Sequence, residues 1–445
     1  MTLRFPKFGW LASRLLLGLL LVGLSGTARA DEAWYRIAGP DGAVIGWQHE
    51  ADVAGAGSTR QITERQLFYR VDDHEPVRQY LRREIVRDEA GRMASQTLQV
   101  GSDAGSARSF DPRTATDEVH LGTLIAAAKS DEASGLPDGL HAVERAGSRI
   151  VMERLRGGGF DGAWIVQFGA SGDLDTVVQP MLGASMTFTP SGPVGAADIS
   201  PHARMPHPMA PSPYDITLAA KRGHIRYRFG LPKGLQFNIP ETGDQRVSRS
   251  DDEVTLDVCG GCNAPMPQDM RDLDRLRQPA RWIESDFPAL RGAAKRAVRP
   301  GMSAWQAMKA LERVARERLS GVDYQGQYSA KQAWNRRKGD CTEDAVLLAG
   351  LARAAGFPAQ VASGLVYARE RYHGTHDAFL PHAWTLVWID GAWRSFDISV
   401  DGFDATHIAL AVGDGEPQSI VRGWRLAAML DWRSLAQVKS AFSPR

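Results

Sequence analysis

The chain has 445 residues, with 53 lysines and arginines against 52 aspartates and glutamates, for a formal net charge of +1. Charges of both signs are mixed along its length and no basic stripe is interleaved with stacking aromatics, which argues against a nucleic-acid partner. Hydrophobic residues make up 43% of the chain, enough for two or three domains with cores of their own, and there are only three cysteines.

At the N-terminus Arg4, Lys7 and Arg14 precede an apolar stretch from Leu15 to Leu24, and Ala28-Arg29-Ala30 has the small-residue pattern of a cleavage site. This predicts a secretory signal peptide over 1–30, cut after Ala30. An uncleaved anchor from about Phe8 to Leu24 is the rival reading, with an apolar core short for a span. No cysteine lies near the cut, which excludes a lipoprotein. No later stretch is apolar and long enough to cross a bilayer, so the expected mature chain is periplasmic or secreted, without stable membrane insertion. From 31 to 189, short runs of alternating polarity punctuated by Gly and Asp predict a β-rich domain. Residues 190–213 are rich in Pro, Gly and Ala and read as a linker, with His202 and His207 facing solvent. A smaller β segment over 214–270 follows, and Cys259-Gly260-Gly261-Cys262 ends its strand-like run Glu253–Val258. In an exported protein that pair reads as a local disulfide. The alternatives are a redox motif, which lacks the surrounding βαβ unit, and a zinc half-site, which lacks a second pair.

Helical patterns cover Trp282 to Val298 and Ala304 to Arg318, the second opened by Ser303 as N-cap. Next comes Lys338-Gly339-Asp340-Cys341-Thr342-Glu343. Asp340 and Glu343 form a capping box, and the following run to Ala355 is apolar nearly all round before Gly356 and Pro358 stop it. The spacing predicts a buried helix whose first residue is Cys341. A thiolate there would face unpaired N–H groups and the positive end of the helix dipole, with Arg336, Arg337 and Lys338 just upstream. Each of these would lower the thiol pKa below about 8.5. A buried structural cysteine is the plainer alternative. Pairing Cys259 with Cys262 leaves Cys341 as the odd thiol, which suits a nucleophile.

Downstream, His382 to Ile389 reads as a strand, Asp390-Gly391 as a type I′ turn, and Ala392 to Ile398 as the return strand. A two-residue turn pairs Ile389 with Ala392. Carried along the ladder, this places Asp397 opposite Trp384 and on the same face as His382, within reach of an imidazole–carboxylate hydrogen bond. A slip of one residue would put the two side chains on opposite faces.

A G-D-C-T-E helix start, an H-A-W strand and a hairpin ending in F-D resemble the transglutaminase-like core of the papain-like thiol enzymes, over roughly 280–410. The resemblance implies an α+β fold in which a central nucleophile helix packs on an antiparallel sheet. That catalytic domain would span 271–430, with a tail over 431–445. It further implies Cys341 as nucleophile, His382 as general base and acid, and Asp397 as the orienting carboxylate, with no cofactor and no metal. The Cys341 N–H is the expected first oxyanion donor, with Trp334 or Gln332 as the second. Asp344 departs from similar bacterial sequences, which often carry His or an aromatic there.

The resulting expectation is an exported thiol enzyme acting on an amide or peptide bond in a peptide, protein or cell-wall peptide. Hydrolysis is favoured because no amine acceptor is implied. Amine transfer of the transglutaminase type is the alternative, as is a non-catalytic envelope protein that keeps the fold. His373, His376, Asp377 and His382 crowd one loop and could be imagined as metal ligands, but irregular spacing sets no geometry. The loop from Tyr367 to Pro381 is expected to border the cleft instead.

Overall fold

The computed structural model describes residues 30–71, 76–110, 119–130, 139–156, 159–212, 214–250, 252–260, 262, 270–322, 327–368 and 376–438. Residues 1–29 of the expected signal peptide and the loop residue His373 lie outside them. Among the described residues no helix is long and apolar enough to cross a membrane.

The N-terminal region is one antiparallel sheet. Its strands are β1 (Ala30–Ala38), β2 (Val44–Gly55), β3 (Ser58–Val71), β4 (Val77–Asp88), β5 (Met93–Gly101), β6 (Arg108–Phe110), β7 (Leu140–Ala146), β8 (Arg149–Arg156), β9 (Gly159–Phe168), β10 (Leu174–Met181) and β11 (Ala184–Ser191). They lie in the order β6-β5-β4-β3-β2-β1-β11-β10-β9-β8-β7, so the chain meanders outward from β1 to β6, crosses to the opposite edge at β7 and meanders back inward until β11 pairs with β1. Alternation gives each strand one apolar face. The helix α1 (Leu121–Lys129) buries Leu121, Leu124, Ala127 and Ala128 in a core that also holds Ile37, Trp164 and Val166.

The Pro-rich stretch is held at two points. The strand β12 (Arg204–Met205) pairs with β3, and β13 (Ala210–Pro211) pairs with Phe379 and Ala378 farther along the chain. After the short α2 (Leu218–Arg222), the strands β14 (His224–Gly230), β15 (Gln245–Arg249) and β16 (Glu253–Cys259) form a second sheet. Cys259 and Cys262 are joined by a disulfide, and Cys341 is a free thiol. The expected C-terminal tail is a strand over Asp431–Gln437, which completes this sheet against β14. Its polar, half-exposed sequence hides it from periodicity, because one flank of an edge strand meets water.

In the C-terminal part, α3 (Met270–Arg275), α4 (Pro288–Ala297), α5 (Ala304–Arg318), β17 (Gly321–Val322), α6 (Ala330–Arg336) and β18 (Lys338–Gly339) lead to α7 (Cys341–Ala354). The helix expected from Trp282 starts only at Pro288, which occupies its first turn where a missing N–H costs nothing. Then follow β19 (Ala359–Ala368), β20 (Ala378–Ile389), β21 (Ala392–Phe396), β22 (Ile408–Gly413), α8 (Pro417–Ala427) and the edge strand β23 (Asp431–Gln437). The sheet runs β13-β20-β19-β22, with β21 also on β20. The apolar helix α7 lies between this sheet and α4, α5 and α6, and Val346, Leu347, Leu348 and Leu351 are fully buried. This is the expected α+β arrangement, a central helix on an antiparallel sheet behind a mostly β N-terminal region.

Candidate active site

The start of α7 forms as its sequence dictates. Asp340 accepts from the Thr342 N–H at 2.8 Å, and Glu343 Oε2 accepts from the Asp340 N–H at 2.9 Å. Glu343 also takes the Tyr328 N–H at 2.8 Å and is wholly buried, which pushes its carboxyl up to about 8. Gly339 is required here, because a Cβ at that position would lie 2.3 Å from the Glu343 Cβ. Cys341 thus occupies the first helical position with its sulfur turned to β20, where the Ala383 N–H donates to it. Thr385 ties the same strand to the helix by donating to the Ala345 carbonyl at 2.9 Å.

The hairpin register is the expected one. Asp390 and Gly391 have φ of 50° and 75°, the left-handed pair that a type I′ turn requires. Ile389 faces Ala392, and the ladder continues to Thr385 and Phe396. It stops one residue short of Asp397, yet Asp397 Oδ2 lies 2.6 Å from His382 Nε2. Both side chains are buried, as is Cys341, which is 8% exposed.

A fourth group joins them that the sequence did not single out. His407, just before β22, places Nε2 2.9 Å from the same Asp397 oxygen and Nδ1 3.2 Å from Asp404 Oδ1. Its sequence signal is faint: an Asp-x-x-His turn, Asp404 to His407, leading into an apolar strand. Pairing of β22 with β19, and of β19 with β20, carries the ring to the site. Burial works to raise the Asp397 carboxyl, but the two imidazoles outweigh it and hold it well below the usual range. Burial likewise opposes protonation of His407, yet its bonds to Asp397 and Asp404 take it up to about 9.

The thiol itself differs from expectation. Burial pushes Cys341 well above the ordinary thiol value, with the charges of Asp340, Asp397 and Asp344 acting in the same direction. The Ala383 N–H works against this rise and does not overcome it. Arg336, Arg337 and Lys338 are exposed, and Arg336 lies 3.9 Å above the Tyr328 ring. Solvent screens charges placed there. Asp344 is half-buried, donated to by the Ser399 hydroxyl at 2.6 Å, and raised to about 7, chiefly by its removal from solvent. Of the two residues considered as second oxyanion donors, Gln332 uses its side-chain oxygen to cap α6 at the Ser329 N–H, 2.9 Å away. Trp334 packs under the Arg318 guanidinium.

His376 pairs with Asp377 at the surface, at 3.0 Å, while His382 faces inward from its strand. These loop residues therefore do not converge with His382. The buried atoms of His382, Asp397 and His407 do lie within 4.8 Å of one another, the kind of grouping that can hold an ion. Their 2.6 and 2.9 Å contacts are hydrogen-bond lengths. They are shorter than the separation of about 3.3 Å between two ligands on a tetrahedral zinc.

Residues 291–398 match the transglutaminase-like superfamily. No curated protein matches the chain. Among solved structures it is similar to a "putative cysteine protease" from Cytophaga hutchinsonii, at 17% identity over 50% of this chain and 89% of the other, with a TM-score of 0.27. It is also similar to a "putative protease" from Parabacteroides distasonis, at 11% identity over 76% of this chain and 70% of the other, with a TM-score of 0.20. At those TM-scores neither likeness bears on chemistry. The family match spans α7 and the β20–β21 hairpin: over residues 291–398 this chain carries a domain of the transglutaminase-like superfamily.

Proposed function

We propose that the chain is an exported thiol enzyme that attacks an amide or peptide bond. The observation that carries this reading is the His382–Asp397 bond of 2.6 Å on the strand whose Ala383 N–H touches the Cys341 sulfur. With His382 Nε2 directed to Asp397, Nδ1 is the nitrogen that takes the thiol proton as the sulfur adds to the carbonyl carbon. The carbonyl electrons move onto oxygen, then return as the C–N bond breaks and His382 delivers the proton to the departing amine. Water resolving the acyl-enzyme makes a peptidase or amidase. An amine resolving it makes a transglutaminase. Hydrolysis is the favoured outcome, because nothing in the chain implies an acceptor.

Burial of the thiol points to a neutral resting Cys341 whose proton leaves as substrate arrives, not to a preformed thiolate. The same burial favours a second reading, a structural cysteine in a non-catalytic fold relative. Labelling of the native protein by iodoacetamide separates the two. Under the catalytic reading His382→Ala slows labelling of Cys341 tenfold or more, by roughly the lower range of general-base effects. An acyl fragment from an envelope extract should also be trapped on Cys341 and identified by mass spectrometry. Equal labelling rates with and without His382, and no adduct, would overturn the proposal.

A further inference from the structure

We propose that His407, braced by Asp404, is a positioning residue that fixes the Asp397 carboxylate so that one of its oxygens can orient the His382 ring. This rests on the thiol-enzyme reading above. Asp397 sits just past the end of β21, where no ladder hydrogen bond restrains it. Its Oδ1 accepts the Ser399 N–H at 2.7 Å, and Arg316 donates to its backbone carbonyl at 3.1 Å. Apart from His382, the ring to be oriented, the side chain then has one donor on one oxygen, about which the carboxylate can rock. His407 supplies a second donor, on the oxygen that faces His382, and the group is then held at both ends.

His407 is well placed to do this because it is itself immobilised. The ring is 1% exposed and lies between Phe403, at 5.0 Å, and the edge of Trp384, at 5.2 Å. Its far nitrogen meets Asp404, whose carboxylate is in turn held by the Thr406 N–H at 2.8 Å and by Lys221 at 3.7 Å. The charged groups around the ring are therefore Asp397, Asp404 and, behind the latter, Lys221, with His382 sharing the Asp397 oxygen.

The chemistry follows from hydrogen placement. Asp397 Oδ2 can only accept, so both imidazoles present Nε2–H to it. In neutral His382 the basic nitrogen must then be Nδ1. Loosening Asp397 would let the ring exchange tautomers and lose the orientation that accepts the thiol proton.

Imidazole ¹⁵N NMR on the full chain tests this, with iodoacetamide labelling of Cys341 as a second reading. In the wild type, both His382 and His407 should show an exchange-protected, low-field Nε2–H. His407→Ala should turn His382 into a mixture of tautomers and slow labelling roughly ten- to a hundredfold, the range for one hydrogen bond to a charged group. His407→Gln, whose amide N–H can still donate to Asp397, should keep a single tautomer and label within about threefold of wild type. An unchanged His382 tautomer in His407→Ala overturns the proposal. If that variant does not fold, absence of the His407 Nε2–H signal in the wild type overturns it equally. The tautomer measurement can be made on Cys341→Ser, so it stands even where labelling rejects the thiol chemistry.

Discussion

Glu50 in the N-terminal sheet and Asp397 in the transglutaminase-like domain are both buried carboxylates beside an imidazole. Glu50 accepts the first N–H groups of α1, from Leu121 at 2.5 Å and Gly122 at 2.9 Å, and takes Gln48 at 2.7 Å, with His120 farther off at 3.5 Å. Burial wins there, and its carboxyl is raised despite these partners. At Asp397 burial loses to two direct imidazole contacts. At Glu50 burial exceeds the pull of His120 and of the backbone and amide donors, whereas at Asp397 two imidazoles at hydrogen-bond distance keep the carboxylate charged. The first arrangement caps a helix. The second keeps a fixed negative charge next to the ring proposed to transfer the thiol proton.

The sharpest way to break that comparison is to remove the charge at Asp397. Asp397→Asn should lower turnover by about ten-thousandfold, as expected when the orienting carboxylate is lost. It should also cost about 1–3 kcal/mol of stability, because the buried His382 and His407 rings lose a carboxylate partner and face an amide instead. Activity and urea unfolding of the same sample check both, and full activity would remove Asp397 from the proposed machinery.

A smaller effect is expected at Asp344, whose carboxyl titrates near 7 beside the thiol and opposes its ionisation. Asp344→Asn removes a negative charge, so the pH profile of Cys341 alkylation should move to lower pH, with rates roughly three- to tenfold faster above neutrality. An unmoved profile would mean that burial, Asp340 and Asp397 set the thiol without Asp344.

The smallest effect belongs to Glu50→Gln, which should leave Cys341 labelling unchanged and cost about 1 kcal/mol through the weakened helix cap. The sign with pH is fixed by the raised carboxyl. Its contribution is fully present below the unfolded value of about 4.3 and is lost as pH rises through the folded one. The cost of the Gln should therefore be greatest in acid and shrink toward alkaline pH, as read from urea midpoints across that range.

Much of the site could be read from local pattern. The capping box at Asp340 and Glu343, the Asp390-Gly391 turn and the hairpin register that follows from it each depend on contacts between residues close in the chain. The disulfide between Cys259 and Cys262 spans three positions. His407 could not be read this way. It reaches Asp397 only because β22 pairs with β19, and nothing near residue 407 encodes that partner. The short strands β13 and β23 escaped for a similar reason, since edge strands carry little alternation of their own.

Sequence by itself determined where the thiol sits on its helix, which imidazole and carboxylate share a face, and which cysteines pair, because local geometry admits few alternatives. Tertiary structure decided how acidic the thiol is and which second imidazole holds the carboxylate. Burial and long-range charge depend on every element packed around the site. At Cys341 they outweigh the local N–H groups that alone would have favoured a thiolate.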